Sequence, residues 1–194
     1  MILHNCTQGT DDWLKLRLGK FGSTDAQAVQ ANGKGLETLC FQKASELIIG
    51  KLPEQYTNEH MERGKELESS ARLLYELETG NQVVEVGYVE MDEHLGCSPD
   101  GLVVGDGLVE IKCPSDRVFV EYLYSEKIDT KYMHQMQWQM WITDRKWCDY
   151  VVYNSNLDKI KIKRVERDEK AKDKFVRGAY EGIEKIKDIL ERVK

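Results

Sequence analysis

The run Ser98-Pro99-Asp100-Gly101-Leu102-Val103-Val104-Gly105-Asp106-Gly107-Leu108-Val109-Glu110-Ile111-Lys112 constrains the fold more than any other part of the sequence. Two apolar runs flank Gly105-Asp106-Gly107, and glycine-rich loops of this length join antiparallel strands. The pattern predicts a β-hairpin. If Val104 and Leu108 close the loop, Asp100 lies opposite Lys112 and Leu102 opposite Glu110. Opposed residues point to the same face and side chains alternate with period two, so Asp100, Glu110 and Lys112 share one face. Val109, Ile111 and Cys113 take the other, apolar face, where a core can hold the strand rigid. Two carboxylates and an ammonium at neighbouring positions suit a hard divalent cation with a positioned lysine. The competing reading is a salt-bridged surface hairpin, because charges on an alternating strand are commonly its wet face.

A chain of 194 residues fits a single domain, spanning residues 1–194, with a sizeable core. Its 41% hydrophobic and 32% charged residues exclude wholesale disorder. No apolar run approaches a membrane span, and Met1-Ile2-Leu3-His4-Asn5 lacks the basic-then-apolar pattern of a secretory signal. A cytoplasmic protein with no membrane partner is expected. Cys6, Cys40, Cys97, Cys113 and Cys148 are odd in number and widely spaced, which suggests neither a disulfide framework nor a zinc or iron-sulfur site. The formal net charge of -6 weighs against a nucleic-acid binder, since phosphate contacts need cations. Clustering matters more than the sum, however, and a carboxylate metal site itself adds negative charge.

Around the hairpin the sequence alternates helical and extended patterns. Thr10 to Leu18 reads as a short helix stopped by Gly19, with Thr10 as N-cap. Thr24-Asp25-Ala26-Gln27 has the spacing of a capping box that opens a second helix. That helix start, with Arg17 nearby, could hold a phosphate; the alternative is simple capping beside a surface arginine. Leu36 to Ile49 and roughly Glu59 to Glu78 are amphipathic, the second with Leu67, Ala71, Leu74 and Leu77 as its stripe. Glu68 sits beside that stripe, either as a solvated edge position or as a carboxylate aimed into a cleft. Val83 to Met91 reads as one strand, and Asp92-Glu93-His94 as a turn. Val118 to Tyr124 reads as a helical turn or two. Thr130 caps a predicted helix over Lys131 to Ile142, in which Gln137 shares the apolar side with Met133, Met140 and Trp141. A glutamine there needs partners, and a site carboxylate, lysine or metal-bound water would serve. Trp147 to Tyr153 and Lys159 to Val165 are strands. The row Lys159, Lys161, Lys163 reads either as protection of an edge strand or as a phosphate track. A long amphipathic helix from about Asp168 to Val193 closes the chain.

The hairpin's Pro99-Asp100 followed by Glu110-Ile111-Lys112 resembles the signature of the restriction-endonuclease-like, PD-(D/E)xK nuclease superfamily. Further segments resemble its phage lambda-type exonuclease branch: Trp13-Leu14-Lys15-Leu16-Arg17-Leu18-Gly19, Gly64 to Arg72 around Glu68, Cys97 to Leu102, Glu110 to Pro114, and Tyr132 to Trp138. They stand in the family's order along nearly the whole chain. The resemblance implies an α/β (α+β) fold, with a central mixed β-sheet flanked by helices. It implies a magnesium-dependent exonuclease, with manganese tolerated, that degrades one strand of linear duplex DNA from its 5′ end for single-strand-annealing recombination in a phage or prophage. A ring-shaped homotrimer working with an annealing protein in the bacterial cytoplasm goes with it.

Carried over residue by residue, the resemblance makes Asp100 and Glu110 metal ligands, with the Ile111 carbonyl assisting. Glu68 completes the acidic cluster, Lys112 positions or polarises the attacking water, and Gln137 orders the site. Arg17, with Ser23 or Thr24, holds the terminal 5′ phosphate. Asp92 and Ser98 are outer candidates, Asp92 at a spacing from Asp100 that is shorter than the family's. The rivals are an endonuclease of the same superfamily, which would also cut closed circular DNA, and a non-catalytic module that binds DNA ends.

Overall fold

Alternating helical and extended patterns become eight strands and seven α-helices among the residues described by the computed structural model, 1–53 and 59–193. The N-terminal part contains β1 (Ile2–His4), α1 (Asp11–Arg17), a 3-10 turn (Ser23–Asp25), α2 (Ala26–Ala31), α3 (Lys34–Ile49) and α4 (Glu59–Thr79). Short strands follow: β2 (Val83–Val84), β3 (Tyr88–Glu90), β4 (Gly96–Cys97), β5 (Gly101–Val103) and β6 (Gly107–Lys112). The chain ends with α5 (Asp116–Ser125), α6 (Thr130–Thr143), β7 (Trp147–Asn154), β8 (Lys159–Glu166) and α7 (Glu169–Arg192).

The main sheet has the order β2-β5-β6-β7-β8 and is mixed, with β6 and β7 parallel and the other pairs antiparallel. A parallel neighbour needs a crossover, and α5 with α6 provides it. On one face α4 packs Ala71 and Tyr75 against Val109, Ile111 and Val151. Leu108, Cys148, Tyr150 and Val152 face the opposite way, into a larger core with Trp138, Phe175 and residues of α2 and α3. The fold is thus α/β with helices on both faces of a mixed sheet. Strand β8 lies at the sheet edge with Lys159, Lys161 and Lys163 exposed, which favours the edge-protection reading of that row.

The predicted hairpin forms as β5 and β6, but Leu102 pairs with Leu108 rather than with Glu110, a register tighter by two residues. Gly105, at φ 102°, takes the left-handed conformation that the turn requires. A shift of two leaves every side chain on its predicted face, because strand periodicity is two. The expected wet face is not wet, however. With β5 and β7 on its flanks and helices on both faces, β6 is a central strand, and Glu110 is only 3% exposed.

The strand predicted over Val83 to Met91 is two strands in two sheets. Its first part, β2, pairs with β5; its second part, β3, lies between β1 and β4 in a separate three-stranded sheet. The crossing is at Gly87, where a Cβ would stand 1.9 Å from the Cys6 carbonyl oxygen, so only glycine allows this approach. Helix α6 is capped by Asp129 rather than Thr130, the Asp129 carboxylate accepting from the Lys131 amide at 2.9 Å. Leu77, read as part of the apolar stripe of α4, is exposed.

Candidate active site

Asp100 enters the site from the bend between β4 and β5, and Glu110 and Lys112 from β6. The Ile111 amide donates to Asp100 Oδ2 at 2.6 Å, tying the two segments together at the site. The Lys112 ammonium lies 2.6 Å from Glu110 Oε1 and 3.7 Å from Asp100 Oδ2, and donates to the Ile111 carbonyl at 2.9 Å. Two carboxylate oxygens and one carbonyl oxygen therefore converge on a single cation. Those are the donors that a hard divalent ion takes. Among the described residues no three His, Cys, Asp or Glu side chains are grouped closely enough to hold an ion between them. Glu68 lies near enough for its charge to act on Asp100, but its Oε1 is 2.8 Å from Arg72 Nη2, so in this structure the carboxylate is held by the arginine and not by the Lys112 ammonium.

Burial pushes the Asp100 carboxyl up to about 7, reinforced by the charges of Glu110 and Glu68 and opposed by Lys112. Burial alone would lower Lys112, but the adjacent Glu110 and Asp100 carboxylates hold its ammonium above the ordinary lysine value. Burial also raises Glu68, against the pull of Arg72 and Lys112. Asp100 is therefore the group that a bound cation would drive to its ionised form.

Helix α6 supplies a glutamine to this site, but not the predicted one. Gln137 bridges two backbone groups instead: its Nε2 donates to the Glu166 carbonyl at 2.8 Å and its Oε1 accepts from the Asp168 amide at 2.8 Å. It fastens the joint between β8 and α7. Gln139, two residues on, donates Nε2 to Glu110 Oε2 at 2.8 Å. Residues two apart on a helix lie about 200° apart around its axis, so the two amides point to opposite sides.

Asp100, Glu110, Lys112 and Gln139 lie along a cleft of about 670 Å³ that continues to α1 and the 3-10 turn. Arg17, Ser23, Thr24 and Ser98 line it. Among the described residues the Arg17 guanidinium makes no side-chain hydrogen bond and lies over the Trp13 ring, 4.0 Å from its centroid. Its burial holds the guanidinium below the ordinary arginine value, against the pull of Asp25. Trp13 is fixed by donating Nε1 to Ser98 Oγ at 2.8 Å and to the Gly87 carbonyl at 3.1 Å. Ser23 Oγ and Gln135 Oε1 are buried without partners among the described residues. The predicted Thr24 capping box is replaced by Asp25, whose Oδ2 accepts from the Gly22 amide at 2.9 Å, and Thr24 itself is exposed at the cleft. Asp92 is not among the residues that line the cleft: it is exposed, and its Oδ1 accepts from the His94 and Leu95 amides at 2.8 and 2.9 Å, closing a turn. The structure thus places Asp100, Glu110, Lys112, Arg17, Ser23, Thr24 and Ser98 along one cleft and leaves Gln137 and Asp92 outside it.

A family profile described as the YqaJ-like viral recombinase domain matches residues 12–146, which include every cleft residue named so far. The chain belongs to the YqaJ-like viral recombinase family. Among solved structures it is similar to the alkaline exonuclease LHK-Exo of Laribacter hongkongensis, at a TM-score of 0.86 and 32% identity over 95% of this chain and 96% of that one. A structure of LHK-Exo in complex with dAMP matches equally, at 0.86 and 32% over the same shares of 95% and 96%. A phage-related exonuclease from Haemophilus somnus 129PT shares the fold, with a TM-score of 0.68 and 16% identity over 90% of this chain and 96% of that one. A search of curated protein sequences returned no significant match. The fold is that of an alkaline exonuclease of the PD-(D/E)xK type, and a nuclease role goes with it.

Within this YqaJ-like domain, sequence reasoning missed Gln139, Gln135 and Tyr132. The Tyr132 ring lies beneath the Lys112 ammonium at 5.1 Å. The available signal was the alternation Gln135, Gln137, Gln139, three amides on an apolar helix that cannot all face one way. Among the described residues no helix is long and apolar enough to cross a membrane.

Proposed function

We propose that this chain is a magnesium-dependent exonuclease that digests one strand of linear double-stranded DNA in the 5′-to-3′ direction. The observation that carries this reading is the cleft itself. A carboxylate pair with a lysine lies at one end. At the other lies an arginine whose side chain makes no hydrogen bond among the described residues. Asp100, Glu110 and the Ile111 carbonyl would hold the ion, since their oxygens already converge on the Lys112 ammonium. When bound, a divalent ion relieves charge on the scissile phosphate and lowers the pKa of a water nucleophile. Lys112 orients and polarises the attacking water, and Gln139 keeps Glu110 in position. Arg17 and Ser23 have spare donors for the terminal 5′ phosphate, with Thr24 and Ser98 beside them. Capture of the 5′ end there sets the polarity, because it fixes which phosphodiester reaches the carboxylates.

The similar alkaline exonuclease has been solved with dAMP, which supports a cleft sized for nucleotides. By family likeness the chain works as one nuclease domain in a homotrimer, beside a single-strand-annealing protein in the bacterial cytoplasm, with manganese able to replace magnesium. The test is digestion of linear duplex labelled at either the 5′ or the 3′ end, with a covalently closed plasmid alongside. Magnesium-dependent early release of the 5′ label with the closed plasmid intact is expected, and Asp100→Ala abolishes it. Early release of the 3′ label overturns the polarity, and cutting of the closed plasmid would make the chain an endonuclease. DNA-end binding without nucleotide release would make it a non-catalytic module.

A further inference from the structure

Lys43, on the cleft side of α3, is 7% exposed, and what remains open faces the same cleft as Arg17 and Ser23. Burying an ammonium is costly unless it is paired and hydrogen-bonded. Lys43 is paired but poorly bonded. Its Nζ stands 3.5 Å from Asp25 Oδ2 and 3.5 Å from Glu46 Oε2, beyond the 2.7–2.9 Å range typical of charge-assisted bonds. Both carboxylates have shorter commitments elsewhere. Asp25 Oδ2 takes the Gly22 amide at 2.9 Å, and Glu46 takes the Gly19 amide at 3.1 Å and Gln42 Nε2 at 3.1 Å. Those bonds shape the turns on which Arg17 and Ser23 sit. The ammonium is left without a close carboxylate partner, and it lines the same cleft as Ser23, whose hydroxyl is itself buried without a partner among the described residues.

The local charge count points the same way. Arg17 and Lys43 contribute two positive charges and Asp25 and Glu46 two negative ones, while neighbouring Lys20 is paired with Glu90. This end of the cleft is therefore neutral with Lys43 and net negative without it, and a negative pocket repels a phosphate dianion. From this placement we infer that Lys43 is a specificity-determining ligand of the terminal 5′ phosphate, acting beside Arg17 and Ser23. The inference rests on the exonuclease reading above. Lys43 makes the enzyme select 5′-phosphorylated ends over 5′-hydroxyl ends.

The experiment compares hydrolysis of 5′-phosphorylated and 5′-hydroxyl linear duplexes, with magnesium, by the wild type, Lys43→Met, Lys43→Arg and the double variant Lys43→Met/Glu46→Gln. The wild type prefers the phosphorylated end. Lys43→Met lowers that preference about tenfold or more, the scale of one charge-assisted hydrogen bond, and Lys43→Arg retains most of it. The double variant separates a ligand from a counter-ion. It restores the charge balance of the triad, and the amide oxygen introduced by Glu46→Gln can still accept from the Gly19 amide, so a purely structural lysine would be rescued while a phosphate ligand would not. It also carries the test if Lys43→Met alone folds poorly. An unchanged preference in Lys43→Met, or a recovered one in the double variant, overturns the inference and leaves the exonuclease reading intact. A wild type that hydrolyses both ends equally also overturns it, whereas a wild type that hydrolyses neither removes both.

Discussion

Gln139 donates its amide to Glu110 Oε2 at 2.8 Å while the Lys112 ammonium holds Glu110 Oε1 at 2.6 Å, so both oxygens of one buried carboxylate are committed to named partners. Glu110 is thereby fixed in rotation as well as in position. Gln139→Leu should lower the rate of DNA hydrolysis about tenfold, since an unheld carboxylate misplaces its oxygens by a fraction of an ångström. Gln137→Leu should behave in the opposite way. It leaves the Glu166 carbonyl and the Asp168 amide unsatisfied and costs about 1–3 kcal/mol of stability, with little effect on the rate per folded molecule. Denaturant melts and initial rates on the two variants separate these outcomes.

That pair of glutamines also marks how far the sequence could be read. Period-two parity was enough to put Asp100, Glu110 and Lys112 on one face, because it survives a register error of two residues. Helical phase was not enough to choose among Gln135, Gln137 and Gln139, since α6 is buried on nearly all sides and its apolar residues define no single inward face. The division of Val83 to Met91 between two sheets was hidden for another reason. It depends on Gly87 meeting Cys6, a contact between segments far apart in the chain. Glu68 is near the acidic pair but is held by Arg72, an i,i+4 partner visible in the sequence that an apolar stripe does not register.

Lys112 touches the same oxygens that a divalent ion would use, so its removal has two separable effects. Lys112→Ala should abolish magnesium-dependent hydrolysis, because the water loses its positioning group. The same substitution should tighten binding of the inert ion Ca²⁺ by about tenfold, because the acidic pair loses a tethered competitor. Calorimetric titration with Ca²⁺ reads the second effect without relying on turnover. Weaker Ca²⁺ binding in the variant would mean that Lys112 helps to assemble the ligands.

The Asp100 carboxyl, pushed from the ordinary 3.8 up to about 7, gives the metal-free protein a predictable pH response. Between those values the folded state binds a proton that the unfolded state has released. With more protons bound in the folded state, stability falls as pH rises through this window. Asp100→Asn removes the titrating group, so its stability should exceed that of the wild type by a margin that grows between about pH 4 and pH 7 and then levels off. Parallel denaturant curves at several pH values, with chelator present, measure the margin. Since an ion needs the ionised carboxylate, its affinity for the wild type should rise over the same range and level off above about pH 7.

Two glycines should respond to alanine with opposite signs. Gly178 lies where α7 crosses α2, and a Cβ there would stand 2.0 Å from the Val29 carbonyl oxygen and 2.9 Å from its carbon. Backbone cannot swing aside as a side-chain tip can, so the helices must separate. Gly178→Ala should cost about 1–3 kcal/mol, the range for an overpacked core. It should also disturb the cleft, because α2 follows directly from the turn that carries Ser23 and Asp25. Gly64 lies within α4, where among the described residues a Cβ meets nothing within 4 Å. Helical glycine costs about 0.5–1 kcal/mol relative to alanine, so Gly64→Ala should stabilise the protein by about that much. Thermal melts of the two variants, with hydrolysis rates at a temperature where both are folded, test the pair. Equal shifts of the same sign would mean that the α2–α7 crossing is looser than the Gly178 contact requires.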